Sequence, residues 1–137
     1  MPPGDCCWPE HNEATRVEIE HFGGREAKTT GDGFFVLFDS PARAVRAAAA
    51  MMDVATAHGL TARAGVHAGE VELQGDEVRG IAVHAAARIL GVAQPGEVLV
   101  SSTVRDLLSG SGLTFADRGE FELRGLDGRR SLAALVR

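Results

Sequence analysis

The sequence predicts an α+β sandwich, with helices packed on one face of a largely antiparallel sheet. Three observations carry this. Helical apolar periods alternate with short β-rich runs, the last third of the chain is strand-like, and turn residues punctuate the boundaries. At 137 residues the chain suits one domain. Residues 1–10 read as an irregular tail, and the folded part as 11–137.

Each element has a local reason. Residues 11–22 form a helix with Ala14, Val17 and Phe22 on one side, stopped by Gly23-Gly24. Residues 25–30 and 34–38 are rich in β formers and flank Gly31-Asp32-Gly33, which reads as a hairpin. Ser40 is an N-cap and Pro41 a first helical residue, while Gly59 follows the last turn. Residues 61–67 alternate as a strand that continues through Val71 and Leu73. Gly75-Asp76-Glu77 is a turn. Residues 81–93 form an apolar helix ended by Gln94-Pro95-Gly96. Glu97 to Val100 is a strand, and Ser101 or Ser102 caps a short helix through Leu108. Strand-like pieces follow at 113–116, 119–124 and 131–136, with a turn at Gly125-Leu126-Asp127-Gly128.

Composition narrows the function. Apolar residues make up 45% of the chain, as in globular proteins, and no run reaches the length of a membrane span. The N-terminus has no basic region followed by an apolar stretch, so no secretory signal is expected. Cys6 and Cys7 are adjacent and suit neither a structural bridge nor a zinc site. A reducing cytoplasm is therefore the expected compartment. A formal charge of −5 argues against a nucleic-acid partner. It also means that a polyphosphate ligand must be met by local cations or metals.

Four stretches, in order, carry a resemblance: GGREAKTTGDGFFVLF at 23–38, RAGVHAGEVELQGDEVRGIAVHAAARIL at 63–90, QPGEVLVS at 94–101 and FADRGEFELRGLDG at 115–128. Together they resemble the class III adenylate/guanylate cyclase catalytic domain, most closely its bacterial, mycobacterial-type members. The resemblance covers about residues 11–137. It implies a ferredoxin-like sandwich working as a head-to-tail dimer, with active sites at the interface. It also implies conversion of ATP to cyclic AMP and pyrophosphate, in cyclic nucleotide signalling, with Mg2+ or Mn2+ assisting.

The resemblance assigns roles to individual residues. Asp32 matches a metal-binding aspartate of the hairpin turn; Asp-Gly is also ordinary hairpin chemistry. Lys28 matches the lysine that meets the adenine ring, and Glu77 the residue that selects the base with it, Asp76 being one place away. Arg88 matches the arginine that stabilises the reacting phosphate. His84, one helical turn earlier, stands where an asparagine more often orients the ribose. Arg124 falls near a basic residue on the triphosphate, with Leu126 as the alternative alignment. The lysine pattern favours ATP over GTP.

The family's other metal aspartate lies in a strand before the first helix, and residues 1–10 show no such motif. Asp5, followed by Cys6-Cys7-Trp8-Pro9, is a weak substitute. The expectation is thus a domain lacking the usual first strand, with one carboxylate where two metals need holding. Two functions follow: a working homodimeric adenylate cyclase, or an impaired cyclase-homology domain that binds nucleotide or pairs with another cyclase domain. A histidine metal site from His58, His67 and His84 has no ligand spacing to support it. A diguanylate cyclase would need a different hairpin turn from Gly31-Asp32-Gly33-Phe34.

Overall fold

A computed structural model describes residues 13–27, 35–74, 77–126 and 128–137. The first element among the described residues is helix α1 over 13–21. Its inward face is built on Thr15 and Ile19, one turn apart and 1% and 3% exposed. Val17, expected inward, is 59% exposed. It sits about 200° around the helix from Thr15, so the two cannot face the same layer. Gly23, at φ +75°, ends the helix. The Gly24 amide donates to the Ile19 carbonyl and the Gly23 amide to that of Glu20, which is the Schellman arrangement. Arg16 bridges to Glu26 at 3.1 Å and ties α1 to the next strand.

Strands β1 (Arg25–Ala27) and β2 (Phe35–Leu37) pair antiparallel, with Arg25 opposite Leu37. This is the expected hairpin. Lys28 and Asp32 lie outside the described residues. Helix α2 (Pro41–Ala57) starts with Ser40 as N-cap, its hydroxyl accepting from the Arg43 amide at 3.5 Å. Gly59, at φ +72°, closes it through the same Schellman arrangement, with the Leu60 amide donating to the Ala55 carbonyl.

Among the described residues the main sheet has four strands in the order β3–β6–β8–β7. These are β3 (Ala64–Val66), β6 (Val98–Ser101), β8 (Arg129–Leu135) and β7 (Phe115–Glu122). β3 and β6 run parallel, and the other two pairs are antiparallel. The parallel pair is joined through helix α3 (Ile81–Val92). Helix α4 (Ser102–Leu107) follows β6 and is N-capped by the Ser101 hydroxyl.

Helices cover both faces of this sheet, where one covered face was expected. Val98 and Val100 pack in a core with Val45, Ala48 and Met52 of α2 and Val104 of α4. Leu99, between them in β6, packs instead with Ile89 of α3 and with Leu132. Alternate strand residues point to opposite faces, so α3 lies across the sheet from α2. All four residues of β6 are buried, which is why that strand reads as a continuous apolar run rather than an alternating one.

Two further differences shape the site. The strand expected to run from 61 to 73 stops at Val66. The chain passes beneath the start of α3, where a Cβ on Gly69 would lie 2.8 Å from the Ala82 Cβ. It then forms a separate hairpin from β4 (Glu72–Gln74) and β5 (Glu77–Arg79). The pieces expected at 113–116 and 119–124 are one strand, β7, interrupted by a bulge between Asp117 and Gly119. Arg118, within the bulge, pairs with Glu97 at 2.6 Å.

Candidate nucleotide site on helix α3

The close seat of α3 begins with a glycine. A Cβ on Gly65 of β3 would lie 2.6 Å from the Leu90 backbone nitrogen. Helix and strand can therefore approach to a distance that a side chain would forbid. Ala85 and Ile89 of α3 are 1% exposed and face the sheet. His84 and Arg88 precede them by one residue each and share a flank of the helix, one turn apart. His84 is exposed and Arg88 half-buried. The Arg88 Nε is enclosed, with no hydrogen-bond partner among the described residues. An unpaired buried donor is costly, and a group left in that state calls for an acceptor from a ligand or an ion.

A turn after β7 comes to the same flank. The Leu126 amide donates to the Leu123 carbonyl at 3.0 Å. Gly125, the third residue of that turn, has φ +82°. Together these define a type II turn with Arg124 at its second position. Leu123 and Leu126 are anchored in the core that contains Ile89. Arg124 is exposed and lines an open depression of about 320 Å3 together with Glu122 and Gly128. Of the two alignments expected for the basic position, Leu126 packs against the core, whereas Arg124 is exposed to solvent. The His84 ring meets this turn directly, since a Cβ on Gly125 would be 2.8 Å from His84 Nε2. Sequence reasoning missed Gly125 as a site residue; the glycine of the FELRGLDG stretch was its one signal.

Glu77 falls in β5, its backbone opposite Gln74, and not in a turn as expected. The β4–β5 pairing draws it into the strand. Asp5 and Asp76, like Lys28 and Asp32, lie outside the described residues. Asp32 offers the hard oxygen donor that Mg2+ or Mn2+ prefers. Among the described residues no group of three His, Cys, Asp or Glu side chains could hold a metal ion. The three histidines considered for a metal are separately engaged. His58 Nδ1 lies 2.9 Å from the Val54 carbonyl, His67 Nδ1 lies 2.8 Å from the Ser101 hydroxyl, and His84 abuts Gly125.

Residues 9–134 match the model of the adenylate and guanylate cyclase catalytic domain. The chain belongs to this cyclase family. A cyclase domain accounts for nearly the whole sequence, and the ferredoxin-like α+β sandwich recurs in solved cyclases. The structure of an adenylate/guanylate cyclase/hydrolase from Silicibacter pomeroyi is similar with a TM-score of 0.82 at 22% identity, covering 97% of this chain and 84% of that one. The guanylate cyclase domain of RhGC from Catenaria anguillulae, solved in complex with GTP, gives 0.81 at 16% identity, covering 94% and 81%. Among curated proteins, an uncharacterized Mycobacterium tuberculosis protein is 39% identical over 99 residues, which are 70% of this chain and 26% of that protein. The adenylate cyclase of Lachancea kluyveri is 31% identical over 123 residues, 67% of this chain and 7% of that enzyme. The cyclase domain thus spans a minor part of the curated relatives it matches. No helix among the described residues is long and apolar enough to cross a membrane.

Proposed function

We propose that this cyclase domain is of the adenylate type and forms cyclic AMP and pyrophosphate from ATP, at an interface between two cyclase domains. The observation that carries this is the enclosed Arg88 Nε, without a partner among the described residues, on the α3 flank that also bears His84 and meets the Arg124 turn. A guanidinium donor held out of water acts on developing phosphate charge more strongly than one in solvent.

In this reading the ATP 3′-hydroxyl attacks the α-phosphate. The O3′–Pα bond forms as the hydroxyl proton passes to solvent, and the bond from Pα to the oxygen bridging the β-phosphate breaks, releasing pyrophosphate. Arg88 donates to the α-phosphate oxygens as charge builds there. Arg124 holds the leaving triphosphate end, and His84 lies on the ribose side. Lys28 and Glu77 read the adenine ring. Asp32 would hold Mg2+ or Mn2+, which when bound would make the hydroxyl more nucleophilic and offset the phosphate charge. A cytoplasmic setting fits this role, since ATP is the substrate.

The test is cyclic AMP formation by the purified chain with ATP and excess Mn2+, with Mg2+ for comparison, across a protein concentration series. Turnover rising faster than linearly is expected for a two-domain site. Arg88→Ala is expected to lower turnover on the order of 100-fold or more with the fold retained. A folded chain that forms no cyclic AMP, alone or mixed with an intact cyclase disabled at its lysine, would overturn the reading. Activity restored by mixing alone would favour a partner-dependent domain.

A further inference from the structure

We infer that His84 is a positioning residue for the phosphate-facing arginine. Its ring seats the Leu123–Leu126 turn against α3, and Gly125 is the contact that lets it do so. The inference rests on the reading of Arg124 as a phosphate-facing side chain and assigns His84 a task apart from the ribose.

Three features converge. The turn is pinned at both feet, because Leu123 and Leu126 pack in the core with Ile89 of α3. At its apex, His84 Nε2 comes within 2.8 Å of where a Gly125 Cβ would stand, with Cδ2 and Cε1 at 3.6 and 3.9 Å. The ring edge is therefore laid against the Gly125 backbone. Gly125 also holds φ +82°, a conformation that favours glycine. Arg124 is the neighbour at the turn's second position, so the direction of its side chain follows the tilt of that peptide plane. The helix flank that carries Arg88 thus also sets Arg124, through His84. The two cations are then held in one frame, which suits a substrate with charge spread along a polyphosphate.

A double-mutant cycle over His84→Ala and Gly125→Ala tests the coupling. The first readout is the affinity of the purified chain for inorganic triphosphate by titration calorimetry. Gly125→Ala is expected to weaken it about tenfold in the His84 background but only about twofold when His84 is already alanine, because the clash is then gone and backbone strain remains. Equal factors in both backgrounds would overturn the inference. The second readout is the NMR spectrum, which needs no ligand. His84→Ala is expected to shift the Gly125 amide and the Arg124 side-chain Nε–H resonances while circular dichroism stays unchanged. Unmoved resonances would overturn it. A wild-type chain that binds no triphosphate, yet shows those shifts, would sink the phosphate reading of Arg124 and leave the His84 contact standing.

Discussion

His67 Nδ1 lies 2.8 Å from the Ser101 hydroxyl, which joins the end of β3 to the start of α4 across the parallel pair of strands. The same hydroxyl accepts from the Val104 amide at 3.3 Å. One buried oxygen thus caps a helix and satisfies a half-buried imidazole.

Ser101→Ala removes both functions at once. It should destabilise the domain by about 1–3 kcal/mol, the cap loss and the stranded imidazole nitrogen together. Ser101→Thr, which keeps the hydroxyl, should recover most of it. Urea unfolding of the two variants checks this, and equal midpoints would count against the dual role.

Burial holds the His67 imidazole below its ordinary range, and the Arg130 guanidinium adds to the effect. The unfolded chain therefore takes up this proton at a higher pH than the folded one. The contribution to stability is complete above the unfolded value of about 6.5. It is lost as pH falls from there to the folded value and levels off below it. Urea midpoints from about pH 5 to 8 should fall towards acid, and His67→Gln should flatten that part of the slope. An unchanged slope would exclude His67 as its source.

Gly65→Val sets a side chain against the Leu90 backbone, where even a Cβ would stand at 2.6 Å. Helix α3 must lift from β3, at a cost on the order of 3 kcal/mol. The nucleotide site should suffer with it, because His84 and Arg88 ride on that helix. Thermal unfolding together with the NMR signals of α3 would show the displacement, and a wild-type spectrum would refute it.

Leu99 and Leu107 offer a matched pair, 0% and 60% exposed. Leu99→Ala should cost about 2–5 kcal/mol through the cavity it leaves between sheet and α3. Leu107→Ala should stay within about 0.5 kcal/mol. Similar losses for both in urea unfolding would mean that Leu107 is covered in solution by something other than this chain.

Much of the fold was legible because its signals are local. Ser40-Pro41 and Gly59 bound α2, and Gly23-Gly24 stop α1, each through hydrogen bonds spanning a few residues. The flank carrying His84 and Arg88 followed from helical spacing alone. The inward face of α1 was misread at Val17, because a short amphipathic helix allows more than one apolar stripe and packing selects among them. Glu77 was misplaced because strand pairing with Gln74 overrode its turn chemistry.

By itself, the sequence determined most of the order of elements, the caps of α1 and α2, and membership of the cyclase family, since these depend on neighbours in the chain or on motifs kept in order. The tertiary structure alone decided that helices cover both faces of the sheet, that Arg88 Nε is enclosed without a partner among the described residues, and that His84 comes to rest on Gly125. Those outcomes rest on contacts between residues far apart in the chain. Such contacts arise from how whole layers pack, which no local pattern encodes.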